Sequence, residues 1–474
     1  MILKPSTCDG CPFKSRGKWF VPDEMVEGAS VVVLSQNPGA DEEEGRRLTH
    51  YDGKHKVYTP CTPSPLIGTT GYDLSRKYLP LAGLERGKSV SLANPIRCRL
   101  DNTNELPPVT DKVLRQAVEH CQHHYYRPPA STRLVVAEGA VALYAATGED
   151  GTEPPGHKIS RGIEGWRGWL LPWNPPPRPR QTWTTVWQPS STQVSVLSTF
   201  HLSYLYRAPW YTPVSQRDWS KVPSVLAGTW PKPFPEIIPT TPNPWPEKYA
   251  FDTEYFDRTL IRYSLAYRGR FGQPFLYVVE SAAHTPVYLA KNETHTAIFH
   301  NVEADLDYLA SLLSPNTVTL KMEDTMYLHA VLWADLDHDL DFVGSIYSWH
   351  NRTKHLLRSN PRVYAGGDAL MTWDAHVPMQ GELERDPRVK KVYYDYQLPL
   401  APIIHRARAA GLRVVPERVE QALQSMGVAQ EESERMAQAH CGWPINVGSS
   451  SQVSRELFEI ERVQINPISG KMRR

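Results

Sequence analysis

Apolar and polar residues alternate along the first 208 positions in a pattern that predicts a largely parallel α/β sheet. Helical stretches at residues 73–82 and 111–123 separate short β-branched segments. These segments, each followed by a polar or glycine-rich turn, lie at residues 29–34, 89–93, 133–137 and 194–199. Ligands of such sheets bind beyond the carboxyl ends of the strands, so the four turns are candidate site elements.

The pattern changes twice further along the chain. Residues 209–247 contain ten prolines and predict an extended linker. Residues 248–390 predict a mixed sheet covered by helices, and residues 391–474 predict long helices, with Gly411 ending one helix and Pro416 in the first turn of the next. The expected architecture is therefore a multidomain α/β protein with a helical C-terminal part.

Composition narrows the class of protein. With 52 Lys and Arg against 51 Asp and Glu, the chain has no global basic bias, so any affinity for DNA must come from local patches. No apolar signal segment or run of 18 apolar residues occurs, which predicts a cytoplasmic protein, bacterial or of a phage in its host, without a membrane partner. Six cysteines are too few for a disulfide scaffold and favour metal or cluster ligands.

Three acidic elements lie far apart in the sequence. Asp252 and Glu254 are two residues apart on a predicted strand, so both side chains share a face. Two further pairs are each four residues apart on predicted helices, Asn301 with Asp305 and Tyr364 with Asp368. A single D-x-E is more often part of a solvated face, but three such elements predict one shared site.

The chemistry that fits this set is phosphodiester hydrolysis. Two Mg²⁺ or Mn²⁺ ions about 3.5–4 Å apart activate a water and neutralise the leaving oxygen, and such ions prefer carboxylate ligands. The predicted metal ligands are Asp252, Glu254, Asp305 and Asp368, with the Tyr364 hydroxyl orienting the attacking water.

In this order and at these separations, D-x-E, N-x-x-x-D and Y-x-x-x-D resemble the DEDD-type proofreading exonuclease of family A DNA polymerases. The resemblance covers residues 248–385 and includes the segments 323–333 and 338–347. It implies an RNase H-like fold that removes nucleotides from a single-stranded or frayed DNA 3′ end, with Asn301 among the substrate-binding residues.

The resemblance continues into the start of the polymerase thumb, at YDYQLPLAPIIHRARAAG and INVGSSSQVSRELFE, and no palm or fingers follow. It implies that this chain alone does not polymerise DNA. The chain is then either a fragment of a longer polymerase or one half of a split enzyme, with a separate chain carrying palm and fingers as a potential partner. The alternative to an exonuclease is a catalytically weak DNA-binding accessory subunit that docks such a chain.

Four cysteines of the first domain form one close pair and two single positions, Cys8 with Cys11, then Cys98 and Cys121. Structural zinc sites more often show two close pairs, and four thiolates equally suit a [4Fe–4S] cluster. Spacing alone therefore leaves the cluster and Zn²⁺ as alternatives.

Four segments of residues 1–208 resemble, in order, the iron–sulfur uracil-DNA glycosylases: SQNPGADEE, PLIGTTGYDL, NPIRCR and FHLSYLYR. The resemblance favours the [4Fe–4S] cluster and implies a pocket for a flipped base. It implies that Asn37 positions the water, Asn94 reads the base edge, His201 stabilises the leaving base, and Ser203 lies at a phosphate contact.

The first domain also departs from that family at three positions. Leu66 stands in place of a stacking phenylalanine, Leu202 in place of a proline, and Ser35 in place of a glycine. Because an aromatic stack contributes about 1–3 kcal/mol per base, Leu66 weakens the expected grip on a base. An active glycosylase and a DNA-binding or uracil-sensing relative of the fold are both consistent with these residues.

Overall fold

The chain divides into two compact units, Met1–His405 and Arg406–Arg474. The division lies inside the helix Leu398–Ala410, later than the boundary predicted after residue 390. This computed structural model describes residues 1–17, 19–100, 106–125, 128–149, 162–176, 185–190, 192–240, 242, 244–256, 259–269, 272–279, 295–306, 321–460, 464–465 and 472–473.

The first unit contains a sheet with five described strands, four of which match the predicted β-branched segments. Four strands are parallel, and an edge strand pairs antiparallel with the last of them. Val31–Leu34 is apolar at every position, as expected for a strand buried on both faces, whereas the buried strand Ser195–Thr199 includes three hydroxyl side chains. Their order across the described sheet is Val90–Ala93, Val31–Leu34, Leu134–Glu138, Ser195–Thr199 and the edge strand Leu170–Pro172.

Helices and a hairpin surround this sheet. Alternate side chains of each strand enter different apolar clusters, so Val32 and Leu34 face one cluster while Val31 and Val33 face the other. A hairpin pairs Arg46–Asp52 with His55–Pro60, and a short pair joins Ile2–Leu3 to Trp19–Phe20. The helical elements are Ser6–Cys8, Ala40–Glu44, Thr69–Asp73, Leu74–Tyr78, Pro80–Ala82, Lys112–Tyr125, Ala140–Thr147, Ile163–Trp166, Leu202–Leu205 and Pro209–Tyr211.

Part of the predicted linker is helical. Helices Thr212–Ser220 and Val222–Leu226 lie inside the proline-rich stretch 209–247, and Trp219 is fully buried in the core of the first sheet. Each helix has a proline in its first turn, where proline needs no hydrogen-bond donor and its fixed φ favours the helix. The prediction of an extended linker, which relied on the number of prolines, was therefore wrong for these residues, because two of the prolines lie in the first turns of helices.

A second sheet in the same unit has six strands among the described residues. The strands Lys248–Phe256 and Thr259–Arg268 form an antiparallel pair, as do Thr259–Arg268 and Pro274–Val279. The described order is Ile237–Ile238, Pro274–Val279, Thr259–Arg268, Lys248–Phe256, Thr296–Phe299 and Lys321–Asp324.

One long helix positions the third acidic element. Pro361–Leu383 begins after Asn360, whose side chain accepts the Val363 N–H, and packs on the sheet face that carries Ala250. Because Asp252 and Glu254 follow Ala250 at a two-residue spacing, they point to the same covered face. The other helical elements of this part are Thr325–Leu332, Leu340–Tyr347, Lys354–Leu356, Pro387–Lys391, Val392–Gln397 and Leu398–Ala410.

The second unit is mainly helical, as predicted. Gly411 adopts φ +65° after one helix, and Pro416 occupies the first turn of the next, Pro416–Cys441. Two short helical elements follow, Ser450–Ser454 and Arg455–Ile460, with a two-strand pair of Gln464–Ile465 and Met472–Arg473. Among the described residues, no helix combines the length and apolar character that a membrane crossing requires.

Candidate functional site

Three of the predicted carboxylates converge between the second sheet and the long helix. Asp252 and Glu254 project from the strand Lys248–Phe256, and Asp368 from the helix Pro361–Leu383. One oxygen of each lies within 4.8 Å of the others. In the part of the chain that the structure describes, no other group of three His, Cys, Asp or Glu side chains is gathered this closely.

Burial and mutual repulsion make these carboxyl groups hard to ionise. Burial, together with the neighbouring charges of Asp368 and Glu254, raises the pKa of Asp252 well above its usual range. Burial and Asp368 likewise raise the pKa of Glu254 to about 7. Burial also raises the pKa of Asp368, although the Lys354 ammonium opposes that shift. A bound cation would relieve the repulsion and favour the ionised forms.

The structure also offers the cation unused ligand atoms. Asp252 Oδ2 and Asp368 Oδ1 are buried and accept no hydrogen bond from any described residue. Buried carboxylate oxygens normally have partners, so two unpartnered oxygens in one cluster fit the hard-oxygen donor set of Mg²⁺ or Mn²⁺. The acidic cluster is therefore compatible with a divalent metal ion.

Asp305, the fourth predicted ligand, lies next to this group but outside it. One of its oxygens, Oδ1, accepts the backbone N–H of Thr253 at 3.0 Å and the Thr253 hydroxyl at 2.5 Å. Burial raises the pKa of Asp305 to about 8, although both Thr253 hydrogen bonds lower it. Asn301 precedes the helical residues 302–306 with φ +69°, a left-handed conformation that asparagine tolerates.

A lysine that the sequence patterns did not indicate completes the cluster. Lys354 Nζ donates to Tyr364 Oη at 2.9 Å and lies 3.5 Å from Asp368 Oδ2. Burial alone would lower the pKa of Lys354, but Asp368 and the other nearby carboxylates raise it above its usual value. Tyr364 is buried, and burial with the neighbouring Asp368 raises the pKa of its hydroxyl, which keeps it protonated.

A second candidate site lies at the carboxyl edge of the first sheet. It is a cleft of about 330 Å³ that contains four of the predicted residues, Asn37, Leu66, His201 and Ser203. The other residues along its walls are Ser35, Gln36, Gly39, Ala40, Asp41, Glu42, Gly68, Thr69 and Thr70. Two of the four predicted turns, those after residues 34 and 199, thus line this cleft at the sheet edge where ligands of parallel sheets bind.

The hydrogen bonds of His201 define its protonation. Its Nδ1 accepts the Ser203 N–H at 3.2 Å, and a backbone N–H can only donate, so the ring proton lies on Nε2. Nε2 is 3.0 Å from the Ser35 hydroxyl, to which it donates. Burial, followed by the charge of Arg207, lowers the pKa of His201 to about 4, so a neutral imidazole faces the cleft at pH 7.

Leu66 is held in a strained conformation at this cleft. Its φ of +53° is rare for a branched side chain, and its backbone is fixed on both sides by Glu42, which accepts the N–H, and Arg86, which donates to the carbonyl. Gly71 allows the close approach, since a Cβ there would lie 1.5 Å from the Leu66 oxygen. The residue that replaces the expected phenylalanine is therefore rigidly placed.

Asn94 follows the strand Val90–Ala93, and Ser35 follows the neighbouring strand Val31–Leu34. The last residues of these two strands, Ala93 and Leu34, are paired. Asn94 is 1% exposed and is not among the residues that line the cleft. Neither its amide nitrogen nor its amide oxygen has a hydrogen-bond partner among the described residues. Such unmet polar atoms in a native interior call for a ligand or water.

The four predicted cysteine ligands lie in one region of the first domain. A hydrogen bond from Cys121 is the main reason that the pKa of Cys11 falls to about 6, and burial raises the pKa of Cys98 to about 11, with Cys11 and Cys8 close enough to add to it. Cys8 Sγ also lies 3.4 Å from the Tyr125 hydroxyl. All four are free thiols in this structure.

Known proteins were compared with this chain by family models and by solved structures. No protein-family model matches the chain. Among solved structures, the POL domain of Pol1 from M. smegmatis in complex with DNA primer-template and dNTP aligns at a TM-score of 0.35 and 17% identity, over 44% of this chain and 35% of that one. The chain thus spans about a third of that polymerase structure.

Two structures of NrnC from Brucella melitensis also align. The first has a TM-score of 0.29 and 21% identity over 37% of this chain and 91% of that one. The second, with bound Mg²⁺, has a TM-score of 0.29 and 22% identity over 37% and 90%. At TM-scores below 0.5, none of these likenesses decides the fold or the activity of this chain.

Proposed function

We propose that this chain is a metal-dependent 3′→5′ DNA exonuclease of the proofreading type, with an RNase H-like fold in residues 248–390. The observation that carries the proposal is the convergence of Asp252, Glu254 and Asp368, with two buried oxygens that no described residue satisfies. Their spacing along the sequence, D-x-E and then Y-x-x-x-D, is that of family A proofreading domains.

Each residue of the cluster has a task in this reaction. Two bound Mg²⁺ or Mn²⁺ ions would supply an activated water and neutralise charge on the phosphate. Asp252, Glu254 and Asp368 would hold these ions, and Asp305 would add its second oxygen, since Oδ1 is occupied by Thr253.

The reaction attacks the terminal phosphodiester. The Tyr364 hydroxyl, kept protonated by burial, would orient the water that attacks the phosphorus. The bond to the 3′ oxygen of the preceding nucleotide then breaks, and a nucleoside 5′-monophosphate leaves while the shortened strand regains its 3′ hydroxyl.

We further propose that the first domain binds an unpaired base, as uracil-DNA glycosylases do. A neutral His201 could turn its Nε2 proton from the Ser35 hydroxyl to a leaving base, and Asn94 offers an unsatisfied amide that can read a base edge. Asn37 would position the water for base excision, and Ser203 would lie at a phosphate contact. Rigid Leu66 supplies an apolar wall in place of a stacking ring, which favours weak base binding.

Cys8, Cys11, Cys98 and Cys121 would hold a [4Fe–4S] cluster in this domain, with Zn²⁺ as the alternative. Zinc with bonds of about 2.3 Å in a tetrahedron holds its sulfurs roughly 3.8 Å apart. Cys11 is hydrogen-bonded to Cys121, and Cys8 and Cys98 lie near enough to interact electrostatically, so the four thiols suit either group. Absorption near 400 nm from the purified protein would distinguish the two.

The test uses a labelled DNA strand with one internal uracil, incubated with the chain and Mg²⁺ or Mn²⁺ and then divided for alkali treatment. We expect stepwise shortening from the 3′ end that is lost in the Asp252→Asn, Glu254→Gln variant. Base excision would appear as an alkali-dependent break at the uracil that His201→Ala removes while shortening persists. No shortening with either metal would refute the exonuclease.

A further inference from the structure

Residues 348–354, here termed the docking segment, connect the first sheet to the acidic cluster. Asn351 is almost fully buried, and its amide pairs with both backbone groups of Leu170 in the edge strand Leu170–Pro172. Asn351 Oδ1 accepts the Leu170 N–H at 3.2 Å, and Nδ2 donates to the Leu170 carbonyl at 3.0 Å. The same Nδ2 donates to the Trp187 carbonyl at 3.0 Å. The side chain thus replaces the next strand at this sheet edge.

Contacts of neighbouring residues also hold this end of the docking segment in place. The Arg352 guanidinium lies 4.2 Å from the centre of the Trp166 ring and is held by Asp341, with its Nη2 2.6 Å from a carboxylate oxygen. Trp230 Nε1 donates to the Ser348 carbonyl at 3.1 Å. A buried, doubly held arginine and a buried indole bond leave this end of the segment little freedom.

The other end of the segment reaches the acidic cluster. Thr353 lies against the long helix at Gly367, where a Cβ would be 2.2 Å from the threonine hydroxyl, so only glycine permits this approach. The next residue, Lys354, donates to Tyr364 and contacts Asp368 Oδ2. Lys354 is three positions along the chain from Asn351, and such a length spans at most about 10 Å.

We infer that Lys354 is a positioning residue of the exonuclease site and that the edge strand of the first sheet, through Asn351, holds it in place. This inference rests on the proposed exonuclease. It makes the nuclease centre depend on a domain that supplies none of its carboxylates.

The hydrogen-bond roles explain what Lys354 positions. An ammonium group only donates, so Tyr364 Oη accepts the hydrogen bond from Lys354. The hydroxyl proton of Tyr364 is then free to be donated to Asp368. Lys354 and Tyr364 therefore engage Asp368, with Lys354 on Oδ2, while Oδ1 stays without a partner in the cluster. Lys354 thus holds the carboxylate in an orientation that would leave Oδ1 available to a bound metal ion.

A flexible lysine side chain otherwise extends toward water. Its place beside three carboxylates requires a fixed backbone, and the docking segment provides one. Loss of the Asn351 hydrogen bonds should therefore displace the Tyr364 and Asp368 side chains in the same way as removal of the Lys354 ammonium group.

The test measures steady-state 3′ shortening by the full chain as Lys354→Met, Asn351→Ala, the double variant, and Lys354→Arg. Lys390→Met, at an exposed lysine paired with Glu384, is the matched control. We expect kcat to fall about 10–100-fold for Lys354→Met and for Asn351→Ala, with KM changed less than about threefold, because misplacement of an orienting group by 1 Å has effects of this size.

The double variant should be no slower than Lys354→Met, and Lys354→Arg should recover most of the lost rate. Because Asn351→Ala removes buried bonds, Asn351→Asp serves as a second variant of equal size that keeps the acceptor for Leu170 and loses both donors. Near-normal kcat in Lys354→Met, with Asp252→Asn inactive, would overturn the inference and leave the exonuclease intact. An inactive unmutated chain would instead refute the exonuclease, and the inference with it.

Discussion

Asp305 accepts both the backbone N–H and the hydroxyl of Thr253, the residue that separates Asp252 from Glu254. The bond to the backbone fixes the strand at the residue between the two carboxylates that we propose as metal ligands. The helix start that carries Asp305 is thereby tied to the strand that carries the other two carboxylates.

At pH 9, where Asp305 is ionised, Thr253→Val should lower the free energy of unfolding by about 1–3 kcal/mol, because the hydroxyl hydrogen bond to this buried carboxylate is lost. Urea unfolding of the two proteins measures the difference. Thr372→Val is the matched control, since its buried hydroxyl donates only to the neutral carbonyl of Asp368 and should cost less than about 1 kcal/mol. Equal losses in the two variants would contradict this role of Asp305.

Stabilisation by Mg²⁺ should increase as pH rises from 6 to 8. The folded-state pKa of Glu254, about 7, lies above its ordinary 4.5, so without metal its contribution to stability falls as pH rises through this range. Metal binds the ionised form and reverses that loss. The shift in Tm on adding Mg²⁺ measures the effect.

Asp252→Asn with Glu254→Gln is the control for this metal effect, and it should abolish the pH-dependent part of the shift. A Tm shift that is the same at pH 6 and pH 8, or that persists in the double variant, would place the bound metal elsewhere.

Glu138→Gln should become more stabilising, relative to the unmutated chain, as pH rises from 6 to 9. Glu138 is fully buried at the end of a central strand, neither carboxylate oxygen has a partner in the described structure, and burial raises its pKa to about 8. A raised folded-state pKa means that stability is lost as pH rises from the ordinary value toward 8. Thermal unfolding at several pH values tests this, and a difference in Tm that does not change with pH would refute it.

Gly71→Ala should disrupt the loop that holds Leu66, because the added Cβ would lie 1.5 Å from the Leu66 carbonyl oxygen. We expect a large drop in Tm or loss of soluble protein. Gly381→Ala, in the interior of the helix Pro361–Leu383 with open space around it, should instead stabilise by about 0.5–1 kcal/mol. A mild effect at Gly71 would show that the loop can relax.

Local sequence patterns predicted the strands and the common face of Asp252 and Glu254, because both depend on residues that are close together in the chain. The run Val31–Leu34 is apolar at every position, as a strand buried on both faces must be, and the two-residue spacing of Asp252 and Glu254 fixes their common face. Asp368 reaches them because the helix that bears it has an apolar face for the same side of the sheet.

What local patterns could not predict depends on distant contacts. Lys354 lies in a short helical turn without periodicity, and its place is set by Asn351 at an edge strand and by Gly367 in a helix. Pro213 and Pro223 look like helix breakers in a proline-rich stretch, yet each lies in the first turn of a helix. Trp219, in the first of these helices, is buried against residues of the first sheet. This contact between distant parts of the chain is not visible in a local pattern.

The most direct measurement of the central claim is the position of Mn²⁺ in crystals of the full chain, read from anomalous scattering. We predict a peak bound by oxygens of Asp252, Glu254 and Asp368, including Asp252 Oδ2 and Asp368 Oδ1, and its loss in the Asp252→Asn, Glu254→Gln variant. Crystals soaked in millimolar Mn²⁺ with no peak among these carboxylates would contradict a metal-dependent exonuclease at this site.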